Sequence, residues 1–119
     1  MTGVQTCALP IFNRTLASIP YEIFPRQEIF VHSLVHIMLL STGFRTQSQV
    51  QTSLGRIDTV VETPTHSVIL EYKVTGTAKE ALAQINAAQY ASGISRPVIK
   101  VGVRFDLEKK QISDWAIGI

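Results

Sequence analysis

Two short apolar runs constrain the fold of this chain more than any other feature. They are Ile57-Asp58-Thr59-Val60-Val61 and Val68-Ile69-Leu70-Glu71-Tyr72-Lys73-Val74, and each carries ionisable residues inside a stretch that should be half buried. Both are rich in β-branched residues, and Thr63-Pro64-Thr65-His66 joins them as a loop of hairpin length. They read as adjacent strands over Arg56 to Glu62 and Ser67 to Val74. Side chains on a strand alternate between faces, so Glu71 and Lys73 share a face with Ile69, while Val68, Leu70, Tyr72 and Val74 point the other way. On the preceding strand Asp58 shares a face with Val60 and Glu62. If the two strands pair as a hairpin, Asp58 comes near Glu71.

The rest of the chain supplies layers for such a sheet. From Arg26 to Ser41, Ile29, Phe30, Leu34, Ile37 and Met38 recur at helical spacing, and Val31, Val35 and Leu39 widen the apolar surface. The spacing predicts a largely buried helix whose polar stripe is Glu28, His32 and His36, with Gly43 as its stop. Ile19-Pro20-Tyr21 and Pro25 mark an irregular lead-in. Phe44 to Thr52 is polar and alternating, as in an edge strand. Ala78 to about Ala91 reads as a helix with Thr77 as N-cap, its Leu82, Ile85, Ala81 and Ala88 facing a sheet. Gly93 and Pro97 bracket a loop. Val98 to Phe105 and Ile112 to Ile117 complete the strands, with Trp115 expected in the core. The order is α-β-β-β-α-β-β. A helix between two strands favours a right-handed crossover, hence an α/β fold with a mixed central sheet flanked by helices.

At 119 residues and 45% hydrophobic, the chain suits one small folded domain. A net charge of +2 is too small to argue nucleic-acid binding by itself. No apolar run approaches the roughly 20 residues of a membrane span. The single cysteine, Cys7, excludes an internal disulfide framework and suits a reducing cytoplasm. Residues 1–11, Met1 to Ile11, match a sequencing adapter translated in frame. They are expected to be an artefact, with residues 12–119 forming one domain cut from a longer protein.

The carboxylates and the lysine carry the chemistry. Mg²⁺ prefers hard oxygen ligands and keeps several waters. Asp58 and Glu71, helped by a strand carbonyl such as that of Tyr72, form a set that can anchor it. The ion would polarise a phosphodiester and lower the pKa of a water, and Lys73 would orient that water or stabilise charge developing at phosphorus. The ordinary alternative is a solvated Glu-x-Lys ion pair and an aspartate bonded to backbone amides. Glu28, His32 and His36 at i, i+4 and i+8 suggest a zinc site only weakly, because ligands in a line over two helical turns rarely converge on one ion.

The Asp58…Glu71-x-Lys73 pattern resembles the active-site signature of the PD-(D/E)XK nucleases. The likeness extends from about Ile19 to Trp115, toward a bacterial branch that lies C-terminal to an AAA-type ATPase domain. It is carried by Ile19-Pro20-Tyr21, Glu28 with His32, Gly55-Arg56-Ile57-Asp58, Glu71-Tyr72-Lys73 and Ala81-Leu82 with Gln84-Ile85. Tyr90, Val101-Gly102-Val103, Phe105-Asp106, and Ile112 with Trp115 continue it. The resemblance implies a restriction-endonuclease-like core and Mg²⁺- or Mn²⁺-dependent cleavage of nucleic acid, DNA above all. It implies Asp58 and Glu71 as metal ligands, Lys73 as the catalytic lysine, Glu28 as a first-helix acid close to the site, and Gln84 as a helix residue near the metal or scissile phosphate.

Two positions depart from that branch. Gln49 stands where an acid is usual, and Ala88 where a basic residue is common. Intact Asp58, Glu71 and Lys73 favour an enzyme. Gln49 mildly favours the alternative, a catalytically inactive module that binds nucleic acid or docks onto the ATPase. Arg56 is either a phosphate contact or the partner of Glu62, and Arg96, Lys100 and Arg104 form either a weak basic surface or a solvated face.

Overall fold

The computed structural model describes residues 9–53, 55–88 and 90–118 of the chain. Cys7 and most of the adapter-like segment lie outside the described residues. Three α-helices and five strands run in the order α1 (Leu9–Ser18), α2 (Glu28–Leu40), β1 (Arg45–Thr52), β2 (Gly55–Glu62), β3 (Ser67–Lys73), α3 (Ala78–Ala87), β4 (Val98–Asp106) and β5 (Gln111–Gly118). Short 3-10 turns occupy Tyr21–Ile23 and Tyr90–Gly93. The strands form a single sheet in the order β1-β2-β3-β4-β5. All neighbours are antiparallel except β3 and β4, which are parallel because α3 carries the chain across between them. The mixed α/β architecture read from the sequence is therefore the observed one.

Alternation along β3 divides the core. Leu70 and Tyr72 face one layer with Leu16 of α1, Val31 and Val35 of α2, and Val103 and Phe105 of β4. Ile69 faces the other, with Ile57, Val60, Ile85 of α3 and Tyr90. Thr77 caps α3 by accepting the Glu80 amide at 3.1 Å. Ala78, Ala81 and Ile85 form the buried face of that helix. Its close seating on the sheet depends on Gly102: a Cβ there would meet the carbonyl of Ala78 and come within 2.6 Å of the Leu82 amide nitrogen.

Several expectations are corrected. The lead-in is preceded by a helix, α1, whose first turn holds Leu9 to Ile11. It is tied to β5 by Asn13, whose Oδ1 accepts the Ile112 amide at 2.8 Å, and Leu16 is fully buried. The α3 helix ends at Ala87, short of Ala91. Tyr90 lies five residues beyond Ile85 and would fall well off the buried face of a continuous helix. The break lets its ring enter the Ile57–Ile85 cluster beneath Gly55. The α2 helix is less buried than its composition suggests: Val31 and Val35 are in the core, but Ile29 is 73% and Ile37 62% exposed. Trp115 is half-buried opposite Val103 on β5 rather than a core residue. Among the described residues no helix is long and apolar enough to cross a membrane.

Candidate active site

The site forms where β2 leaves β3. Their ladder runs from Glu62–Ser67 to Thr59–Leu70 and stops there. Two features mark the departure. Ile57 and Val60 are three apart yet share one core layer, whereas an unbroken strand would put them on opposite faces. Across β1, Ser48–Thr59 and Val50–Ile57 pair, while the intervening Gln49 takes a left-handed φ of 56°. The strand thus turns at Asp58.

That turn removes the partner that Tyr72 of β3 would have had, and the Asp58 side chain replaces it. Asp58 Oδ2 accepts the Tyr72 amide at 2.9 Å. A strand residue projects its N–H and C=O toward the same neighbour. The Tyr72 carbonyl therefore points into the same gap. Its side chain lies on the opposite face, where the ring is buried edge-on to His32 with centroids 4.9 Å apart.

Glu71 sits on the α3 face as alternation requires, and only 4% of it is exposed. Its carboxyl group lies close enough to that of Asp58 for the neighbour to act on its ionisation, and its Oε2 is buried with no hydrogen-bond partner. Burial, then the hydrogen bond and negative charge of Asp58, push its pKa up to about 9; Lys73 opposes the rise and Glu28 adds to it. Such a carboxyl group holds its proton at neutral pH unless a cation arrives.

An open cleft of about 360 Å³ surrounds the pair, lined by Glu28, Arg56, Asp58, Glu71, Tyr72, Lys73 and Gln84, with Val74 and Thr75 at its end. All seven residues singled out from the sequence therefore meet in one place. Glu28 comes from the first turn of α2, Arg56 and Asp58 from β2, Glu71 to Lys73 from the end of β3, and Gln84 from the flank of α3. Val74 and Thr75 were not singled out; their position just beyond Lys73, where the strand ends, was the available signal.

The bland alternatives divide. Glu62 pairs with Arg96, not Arg56, and Arg96 also donates to the Thr63 carbonyl. Lys100 donates to Asn86 Oδ1 at 2.9 Å and Arg104 to the Gly76 carbonyl at 3.1 Å, so these cations serve local contacts rather than a shared basic face. Of the polar stripe of α2, His32 and His36 turn toward β1, while Glu28 is exposed at the edge of the cleft. His32 Nδ1 meets Gln49 Nε2 at 3.3 Å and its Nε2 lies 3.5 Å from Glu28 Oε1, while His36 Nδ1 meets Ser48 Oγ at 2.7 Å.

Among the described residues no group of three His, Cys, Asp or Glu side chains could hold a metal ion by itself. The zinc arrangement considered for α2 is thus not formed. The donor set suits a different ion. Two facing carboxyl groups, an unpartnered buried oxygen of Glu71 and a carbonyl in the same gap are hard oxygen donors, of the kind Mg²⁺ takes beside its waters and substrate phosphates.

Comparison with curated proteins and with solved structures gave no match. Residues 26–115 match the PD-(D/E)XK nuclease superfamily, a span running from the residues just before α2 to Trp115 of β5 and containing every residue of the cleft. The chain belongs to the PD-(D/E)XK nuclease superfamily.

Proposed function

We propose that this domain hydrolyses phosphodiester bonds of nucleic acid, DNA above all, with a divalent ion, Mg²⁺ or Mn²⁺, held by Asp58, Glu71 and the Tyr72 carbonyl. The observation that most supports this is the facing Asp58–Glu71 pair with Lys73 beside it, at the point where β2 turns away and leaves room for a ligand. Ionising both carboxyl groups without a cation is costly, because Glu71 is buried and like charges in a low-dielectric site oppose ionisation. When bound, the ion would supply Lewis acidity at the phosphate and lower the pKa of a water.

The chain's own groups do the rest. Asp58 is locked by the Tyr72 amide, so its free oxygen keeps one direction. Lys73 shares the strand face of Glu71 and presents its ammonium where negative charge would grow on the phosphate oxygens. Arg56 lines the cleft with no ion pair among the described residues, so its guanidinium is available to a neighbouring phosphate. Gln84 offers an amide from the α3 side, and Glu28 adds a carboxylate from the α2 side.

The wider assignment, to a bacterial branch that follows an AAA-type ATPase domain, is also a proposal. The exposed Tyr21 and Ile23 on the lead-in support a neighbour at that surface. The test of the central reading is cleavage of supercoiled, linear and single-stranded DNA with Mg²⁺ or Mn²⁺, against EDTA and against Lys73→Ala. Metal-dependent cleavage lost in Lys73→Ala is the expected result. A folded chain that cleaves none of these, or a Lys73→Ala variant that cleaves like the parent, overturns it.

A further inference from the structure

A second groove, of about 790 Å³, runs between α2 and β1 and opens into the catalytic cleft. The two share Glu28, Arg56 and Asp58, so a strand whose phosphate lies at Asp58 and Glu71 must pass into or beside it. Its walls differ in character. One is the outer stripe of α2, where Ile29 and Ile37 are the two most exposed large apolar side chains of that helix. Nothing in the core requires them, since Val31 and Val35 fill that role. The other wall is polar. It is the seam where α2 meets β1, with His36 of α2 held by a chain from its Nδ1 to Ser48 Oγ of β1 at 2.7 Å and on to Thr59 Oγ1 at 3.1 Å, and with Gln49 of β1, whose nitrogen meets His32.

An apolar wall facing fixed polar edges suits a nucleobase, which has an apolar face and a hydrogen-bonding rim. A paired and stacked base hides its face and its pairing edge and shows only its groove edges. Resting on the reading of the cleft as a nuclease centre, we propose that the α2–β1 groove takes unstacked nucleotides flanking the scissile phosphate. The substrate is then a nucleic acid with a single-stranded segment at the point of cleavage, such as a free strand or an overhang. Arg56, at the junction of cleft and groove, meets the phosphate between the two.

The test separates binding from cleavage. Fluorescence anisotropy with EDTA compares a labelled single-stranded oligonucleotide with a blunt hairpin duplex, using the parent chain and the variants Ile37→Glu and Ile29→Glu. Both positions are exposed, and circular dichroism checks that the fold is kept. The expected result is tighter binding of the single strand, weakened about tenfold in each variant, the loss of roughly one base contact. Ile37→Leu should restore it. Equal binding of strand and duplex, or unchanged single-strand affinity in both variants, overturns the proposal and leaves the groove to a protein partner. Cleavage assays on the same variants keep the two readings apart. If Lys73-dependent cleavage is present and the groove variants cut single strands like the parent, the groove proposal fails alone. If nothing is cleaved but the groove variants lose single-strand binding, the nuclease reading fails alone.

Discussion

The Gln49 side chain reaches from β1 to α2 and places its Nε2 3.3 Å from His32 Nδ1. An amide nitrogen only donates, so in this contact Nδ1 accepts, which leaves Nε2 as the ring's donor. That nitrogen lies 3.5 Å from Glu28 Oε1, at the edge of the cleft. The ring also packs edge-on against Tyr72, whose amide holds Asp58. His32 therefore connects the acid of α2, the left-handed bend in β1 and the strand bearing the carboxylates. As a positioning residue it should matter more for turnover than for folding. Gln49→Ala and His32→Phe are each expected to lower kcat about tenfold, in line with outer partners of metal sites, with KM near that of the parent. Steady-state kinetics beside thermal melts would check this, and a Tm loss without a kcat loss would refute it.

Asp58 has two roles that different substitutions separate. Asp58→Asn keeps an oxygen for the Tyr72 amide and removes the charge. It should leave the melting temperature close to the parent's while lowering metal-dependent cleavage by about 100-fold or more. Asp58→Ala also leaves the Tyr72 N–H without its partner in a buried setting. That should destabilise the chain by about 1–3 kcal/mol in addition to the loss of cleavage. Chemical denaturation of both variants would decide. Equal stability of the two would mean that the Tyr72 bond at 2.9 Å contributes nothing.

Much of this site is legible in the sequence, because strand alternation and a short hairpin loop fix which side chains can meet. Glu71, Lys73 and Asp58 follow from those rules alone. What could not be read was the place where the rules fail. A regular hairpin continuing the Thr59–Leu70 register would already set Asp58 opposite Glu71, but it would have left the Tyr72 amide paired to backbone; because β2 gives up its ladder there, the Asp58 carboxylate takes that amide instead. The bend has one local correlate, the left-handed Gln49, and glutamine gives no warning of that conformation. The α1 helix was missed for another reason. Phe12, Leu16 and Ile19 recur at helical spacing, but the segment is short and its anchor, the Asn13–Ile112 contact, spans nearly the whole chain. Helical periodicity places Ile29 and Ile37 in the core although they face outward, because it cannot tell a buried apolar stripe from an exposed one.

Gly102 tests whether the close seating of α3 positions Gln84. A methyl group there would strike the Ala78 carbonyl and the Leu82 amide, which are backbone atoms that cannot rotate away. Gly102→Ala should destabilise the fold by about 3 kcal/mol, the upper end of the usual overpacking cost. Any folded fraction should show reduced cleavage, because α3 and its Gln84 are pushed off the sheet. Gly93→Ala, where nothing lies within 4 Å of the added carbon, is the control and should melt like the parent. A Gly102→Ala variant as stable as the parent would contradict the observed helix–sheet contact.

Glu71 makes the metal-free protein sensitive to pH in a definite direction. Its pKa is raised from 4.5 to about 9 by burial and by Asp58. Between those values the folded chain keeps a proton that the unfolded chain has released. Stability must then fall as pH rises. The contribution is complete below about pH 4.5 and is lost on passing through about pH 9. In EDTA, therefore, melting temperature should decline from pH 5 toward pH 9 in the parent, and the decline should shrink in Glu71→Gln, which has no proton to lose. A bound divalent ion needs the ionised carboxylate, so it must displace that proton. Mg²⁺ or Mn²⁺ should accordingly bind more tightly as pH rises, releasing up to one proton per ion at neutral pH, and should flatten or reverse the pH trend in stability. Calorimetric titrations in buffers of different ionisation enthalpy measure the proton release directly. A parent whose metal affinity does not change with pH, and whose metal-free stability does not fall, would show that Glu71 is ionised without the ion and would remove the electrostatic basis for a cation at this site.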